Sequence, residues 1–259
     1  MRFGLLLTLL LSTFTYANPR PLAMTYPYQT VPKDGLEVEQ FVDLTPVRTI
    51  DTTGELTWAP LTELVTEIEY GLTDRLELGL YLQLSNDPAG STGTLPLGFD
   101  GIKQRLRYRV LEQDELPIDL SLYAEVAEMV NELELEFKIN LQRTLGPVRL
   151  MANLSAEYEI YYSGEREWVL NPSGGATVQI KPWLHVGLEY WFNVELGGAG
   201  TGTFNAAPHH FLGPSVMVQL KKLWFTVAPY VRLDNSRRTP QLGDLYGPVW
   251  VRTVLGIDL

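Results

Sequence analysis

Lys103, Arg105, Arg107 and Arg109 occupy every second position of one short run, separated by Gln104, Leu106 and Tyr108. On an extended strand successive side chains point to opposite faces, so the four cations form one ladder on one face. Carboxylates recur with the same spacing elsewhere: Glu37 and Glu39, Glu67 and Glu69, Glu77, Glu125, Glu134 and Glu136, Glu157 and Glu159, Glu189 and Glu195. A cation ladder facing carboxylates across a water-filled pore sets a transverse field that orients polar or charged solutes, with the ladder as the selectivity element. The same residues suit an interior salt-bridge network filling a narrow barrel, because unpaired buried charges are costly and pairing is the ordinary solution. Tyr81, Tyr123, Tyr161, Trp191 and Tyr230 fall on the same faces, either as an aromatic slide for sugars or phenolic solutes or as volume-filling side chains.

The elements that must position these residues are strands. In Leu76 to Leu84, leucine at every even position alternates with Glu77, Gly79, Tyr81 and Gln83, and later segments repeat the pattern. Strands are expected at 36–45, 61–71, 75–84, 101–110, 117–127, 132–143, 147–162, 174–181, 183–195, 210–221, 223–234 and 248–259. Tight connections fall at 72–75, 112–116, 145–147, 181–182 and 221–222, and alternate with Gly-, Pro- and Ser-containing stretches at 46–60, 85–100, 163–173, 196–208 and 235–247. Only the link 128–131 is short where a long one is expected. Short periplasmic turns alternating with longer outer loops mark outer-membrane barrels, and the even strand number returns both ends to the periplasm.

The other strand faces suit lipid. Leu64, Thr66, Ile68 and Tyr70 share one face of the second strand; Leu150, Ala152, Leu154 and Ala156 share one of the seventh; and Val251, Thr253, Leu255, Ile257 and Leu259 line the last. None of these faces carries a charge, and Tyr70, Tyr108, Tyr162 and Phe225 stand where interfacial aromatic girdles belong. The reading is all-β: a transmembrane antiparallel up-and-down β-barrel of about twelve strands over residues 36–259.

Before it come Arg2, an apolar run Gly4–Leu11 and the sequence Thr15-Tyr16-Ala17, whose small residues suit cleavage before Asn18, so residues 1–17 read as a cleaved signal peptide. Residues 18–35, with Pro19, Pro21, Pro27 and Pro32, read as a periplasmic lead-in or partial plug. The 259 residues contain no cysteine and carry a net charge of −11, which disfavours nucleic acid as a partner.

Enzymatic readings are weaker. Twelve-stranded outer-membrane phospholipases place His and Ser two apart on a strand, and no His-x-Ser occurs here. A protease-like set would have to gather His209, His210, Asp234, Asp244 and Asp87 from the outer loops. The pair His209-His210 points to opposite strand faces, which disfavours a metal site, and Gly197-Gly198 with Gly200 and Gly202 lacks the Lys-Ser/Thr of a phosphate loop. Arg237 and Arg238 are placed to meet lipopolysaccharide phosphates or to remain solvated.

The stretches Pro19-Arg20-Pro21-Leu22 and Leu36-Glu37-Val38-Glu39-Gln40, and above all Glu67-Ile68-Glu69-Tyr70-Gly71-Leu72-Thr73-Asp74-Arg75-Leu76-Glu77-Leu78-Gly79, resemble the exported barrel proteins of the phenol meta-degradation pathway. That resemblance implies an outer-membrane channel for aromatic compounds. Residues and resemblance together set the expectation: a non-enzymatic, cofactor-free bacterial outer-membrane channel for small polar or aromatic solutes. Its partners would be outer-membrane lipids, lipopolysaccharide, the barrel-assembly machinery that reads the terminal strand, and a solute. A sealed barrel acting through its outer loops is the alternative.

Overall fold

The computed structural model describes residues 18–51, 53–86, 96–111, 113, 115–197, 208–234, 242 and 244–259. Alternating apolar and polar side chains leave each segment with one face for hydrocarbon and one for a polar interior, which only an extended strand achieves. The segments are β1 (Leu36–Ile50), β2 (Leu56–Gly71), β3 (Leu76–Ser85), β4 (Gly98–Arg109), β5 (Asp119–Met129), β6 (Glu132–Leu145), β7 (Val148–Tyr161), β8 (Arg166–Leu170), β9 (Ser173–Lys181), β10 (Leu184–Leu196), β11 (His209–Leu220), β12 (Leu223–Arg232) and β13 (Val249–Asp258).

All pairs are antiparallel, and β13 returns to β1, with Glu37 opposite Asp258 and Leu44 opposite Val251. The short segments β8 and β9 together make one stave between β7 and β10, so thirteen segments close a twelve-stranded barrel. The break falls at Asn171-Pro172, where proline brings no N–H to the ladder. Ser155 of β7 bridges it by donating to the Asn171 carbonyl at 2.8 Å.

The expected long loops at 46–60 and 163–173 are instead mostly strand. β1 and β2 continue as a two-stranded ribbon past the last β13 and β3 partners, with Pro46 opposite Pro60 and the Asp51 N–H donating to the Glu55 carbonyl at 2.9 Å. The prolines made this stretch read as loop, but outside the flanking strands they interrupt no neighbouring ladder. At 163–173, a turn with Gly164 at φ +103° leads into β8, a segment too short for its alternation to stand out. The short link after β5 is as expected.

The outer wall presents apolar side chains on every stave, interrupted by Gln104 on β4 and by Gln40 and Thr66, which bond to each other at 2.8 Å. Leu80 on β3, Leu106 on β4, Leu122 on β5, Phe137 on β6, Leu154 on β7 and Leu188 on β10 are all exposed, Phe137 at 61%. Tyr70, Tyr108, Tyr162 and Phe225 also face outward, the first three at strand ends. A belt of this kind is stable only against hydrocarbon, and closure leaves no unpaired strand edge within it. The chain therefore crosses a membrane with its strands. Expectations for residues 1–17, Asp87, Gly198, Gly200, Gly202, Arg237 and Arg238 lie outside the described residues.

Candidate functional site

The inward faces hold the charges. β4 runs from the long-loop end to the short-turn end, so its cations stand at four depths. Arg109, lowest, donates to the Asp74 carbonyl at 2.6 Å in the β2–β3 turn. Arg107, 0% exposed, holds both oxygens of Glu77 at 2.8 Å, with Glu69 3.6 Å away. Arg105, 1% exposed, reaches across β3 to Glu67 at 2.5 and 2.9 Å, to the Tyr81 hydroxyl at 2.5 Å, and to Glu69 and Glu77. Gly79 makes this crossing possible, since a Cβ there would lie 2.7 Å from the Arg105 side chain. Lys103, highest of the four, meets Glu134 at 3.0 Å and Glu125 at 3.6 Å.

The N-terminal segment lies inside the barrel, against the same layer. From β1 it passes the β2–β3 turn, where the Asp34 N–H donates to the Gly71 carbonyl at 2.9 Å. It then circles the inner wall. The Val31 N–H donates to Glu77 on β3 at 2.6 Å, and Tyr26 exchanges backbone bonds with the Asn153 side chain on β7 at 2.6 and 2.9 Å. On β10, Glu189 accepts the N–H groups of Ala23, Met24 and Thr25 at 3.0, 3.1 and 2.6 Å, the Thr25 hydroxyl at 2.6 Å, and the Tyr230 hydroxyl. Ser215 on β11 and Thr226 on β12 donate to the carbonyls of Pro21 and Arg20.

Arg20, 1% exposed, then turns back to Glu39 and Glu67 at 2.9 Å and Glu69 at 3.3 Å, and stacks on Tyr26, 3.5 Å from its ring centre. At the segment's start the Asn18 N–H donates to Glu37, whose other oxygen accepts the Trp224 indole N–H at 2.6 Å. Glu37, Glu39 and Glu69 bring carboxylate oxygens within 4.8 Å of one another, a spacing that fits a metal ion, but the Arg20 guanidinium already lies against Glu39.

Toward the long loops the lumen opens into a cavity of about 300 Å³, lined in part by Met24 and Tyr26 of the segment. Its charged lining comprises Lys103, Lys138 and Arg252 with Glu63, Glu125, Glu136 and Glu157; its rings include Phe41, Tyr81, Tyr123, Trp191, Tyr246 and Trp250. Lys138 pairs with Glu136 at 3.0 Å and sits 4.4 Å over the Tyr123 ring, while Arg252 holds Asp43 at 2.8 Å. Trp191 stacks on Phe211 at 4.2 Å and meets Trp250 edge-on.

Of the sequence-selected residues, Lys103, Glu125, Glu136, Glu157, Tyr81, Tyr123 and Trp191 line this cavity. Glu134 stands behind Lys103, and Glu159 binds the Tyr161 hydroxyl at 2.6 Å nearer the rim. Arg105, Arg107, Glu67, Glu69, Glu77 and Glu189 lie below it, tied to one another or to the segment, and Arg109 lies lower still. The ladder thus divides between one cavity cation, two buried cations and one rim cation. Lys138 and Arg252 escaped selection although parity marks them: Lys138 is in phase with Glu134 and Glu136, and Arg252 with Trp250. Arg20 had no such signal, because its segment has no period.

Three of the residues that a hydrolase would need, His209, Asp234 and Asp244, meet around Arg232. That buried guanidinium binds Asp234 at 2.8 Å and Asp244 at 2.7 Å, and its Nη2 lies 2.5 Å from His209 Nδ1. His210 faces the other way, toward the Tyr190 hydroxyl at 2.6 Å. Both carboxylates are thereby engaged by a cation, an arrangement suited to holding loops.

No family model matches the chain, and no curated protein matches it in sequence. Solved structures do. The crystal structure of an outer-membrane channel from Pseudomonas putida F1 superposes with a TM-score of 0.60 at 13% identity, covering 90% of this chain and 98% of that one. This chain has the fold of an outer-membrane channel barrel. The NanC porin gives a TM-score of 0.56 at 8% identity, over 86% of this chain and 98% of that one. At these identities the likeness is one of fold, and cargo has to be argued from the lumen.

Proposed function

We propose that this outer-membrane barrel is a passive channel for small polar or aromatic solutes, without enzymatic activity, and that residues 18–35 act as its plug. The observation that carries this reading is the mixed cavity of about 300 Å³ whose wall is continued by Met24 and Tyr26 of the N-terminal segment. Three cations, four carboxylates and a group of aromatic rings give a solute both hydrogen-bonding partners and flat apolar surfaces. The resemblance of Glu67–Gly79 to the phenol meta-degradation barrels supports an aromatic cargo, and the fold shared with an outer-membrane channel supports passage.

Selectivity in this reading belongs to Lys103, Lys138 and Arg252 against Glu63, Glu125, Glu136 and Glu157. Arg105 and Arg107 serve the packing beneath. The test is reversal potential across a salt gradient for the parent and for Lys103→Gln/Lys138→Gln. The paired substitution is expected to shift preference toward cations, because the acidic lining remains. An unchanged reversal potential in a folded variant would remove these lysines from the conduction path.

A further inference from the structure

The layer under the cavity is short of positive charge. Glu37, Glu39, Glu67, Glu69 and Glu77 are all 0% exposed, and the guanidiniums buried among them are Arg20, Arg105 and Arg107. Each of these guanidiniums lies against at least one of Glu39, Glu67, Glu69 and Glu77. Glu37 is reached instead by two N–H donors, the Trp224 indole and the Asn18 nitrogen, the latter at 3.2 Å. Room for the indole is built in, since a Cβ on Gly256 would lie 2.1 Å from the Trp224 ring. Asn18 is itself only 6% exposed, fixed by its side chain to the Gln29 carbonyl at 2.8 Å. A neutral amide so placed offers a buried carboxylate one hydrogen bond and no charge, whereas an ammonium in the same place offers both.

We propose that Asn18 is the first residue of the mature protein and that its α-ammonium is the counter-ion of Glu37. Two observations meet at this one nitrogen: the small residues Thr15 and Ala17 that mark the bond before Asn18 for cleavage, and the buried carboxylate waiting on it. Cleavage is hydrolytic. Water adds across the Ala17–Asn18 peptide bond under a signal peptidase, leaving a carboxylate on Ala17 and an amine on Asn18 that takes up a proton. Processing thus supplies a fourth cation to the layer, and the seating of the N-terminal segment is coupled to maturation. The inference rests on the plug reading only for its effect on conduction.

The first test is the mass of the protein extracted from outer membranes after expression of the full chain, which is expected to begin at Asn18. The second is a cycle of four refolded proteins: the chain starting at Asn18, the chain retaining Ala17, and each of these carrying Glu37→Gln. Retaining Ala17 and replacing Glu37 are each expected to lower the thermal midpoint by several degrees, and the double change by no more than the larger single one. A merely steric cost of Ala17 would persist in the Glu37→Gln protein and make the effects add, which would overturn the proposal. So would a first residue other than Asn18, or midpoints that none of the changes moves. All these readings are independent of whether the barrel conducts.

Discussion

Arg105 is the most connected cation of the lumen, and its burial decides what its substitution does. If the whole ladder lined the pore, Arg105→Gln and Arg107→Gln would alter ion preference and leave folding intact. With Glu67, Glu69 and Glu77 packed around it, removing the Arg105 guanidinium leaves carboxylates buried without their partner. Breaking one side of such a buried pair costs about 3–5 kcal/mol. Arg105→Met is therefore expected to lower the denaturant midpoint of the folded barrel markedly, while Lys103→Gln, on a half-buried residue beside the cavity, moves it little. Equal midpoints for the two variants would contradict the division of the ladder. Gly79→Val tests the same contact from the other side: the added carbons meet Arg105, and overpacking of this kind costs roughly 1–3 kcal/mol. Which residues face inward was legible from parity, because the period of two holds from Gly101 to the end of β4 and through β5 to β7, the register shifting only where Gln83 and Leu84 of β3 meet Gly101 and Phe99. Which inward residues face open space was not. That depends on a segment with four prolines and no period, whose path across the lumen is written in contacts with strands more than a hundred residues away.

At the level of the strand, the lipid-facing side carries the clearest prediction. Leu80 is exposed on the outer wall of β3 between Leu78 and Leu82. An arginine near the membrane midplane costs about 2–4 kcal/mol, so Leu80→Arg is expected to lower the folding stability in vesicles by that amount. Insertion equal to the parent's would reverse the face assignment for the strand. The stave made of β8 and β9 is the weak point of the wall, since its ladder to β7 is interrupted at Asn171-Pro172 and bridged there by Ser155, while on the β10 side the Phe192 N–H reaches the Pro172 carbonyl at 3.2 Å. Ser155→Ala removes that bridge, and amide exchange is expected to speed up at the neighbouring residues of β7 and β10 with the rest of the ladder unchanged. Twelve staves were readable from the alternation. The β1–β2 ribbon and β8 were not, the first because its prolines mimic a loop and the second because five residues hold too few alternations to count.

For the whole molecule, the N-terminal segment is the one part of the described chain that touches strands all around the lumen. Glu189 gathers three consecutive backbone N–H groups and two hydroxyls, so it is the main anchor of that segment on the β10 side. Hydrogen bonds to charged groups contribute about 1.5–3 kcal/mol each, and their loss together outweighs the marginal stability of a docked segment of this length. Glu189→Ala is accordingly expected to release the segment while the strands, held by their own ladders, keep their register. The most direct measurement is single-channel current in a planar bilayer for the chain starting at Asn18, its Glu189→Ala variant and a chain starting at Leu36. Small or brief steps are expected for the first and larger, longer-lived steps for the other two. Folded barrels that pass no current in any of the three forms, or identical current in all three, would contradict a plugged channel.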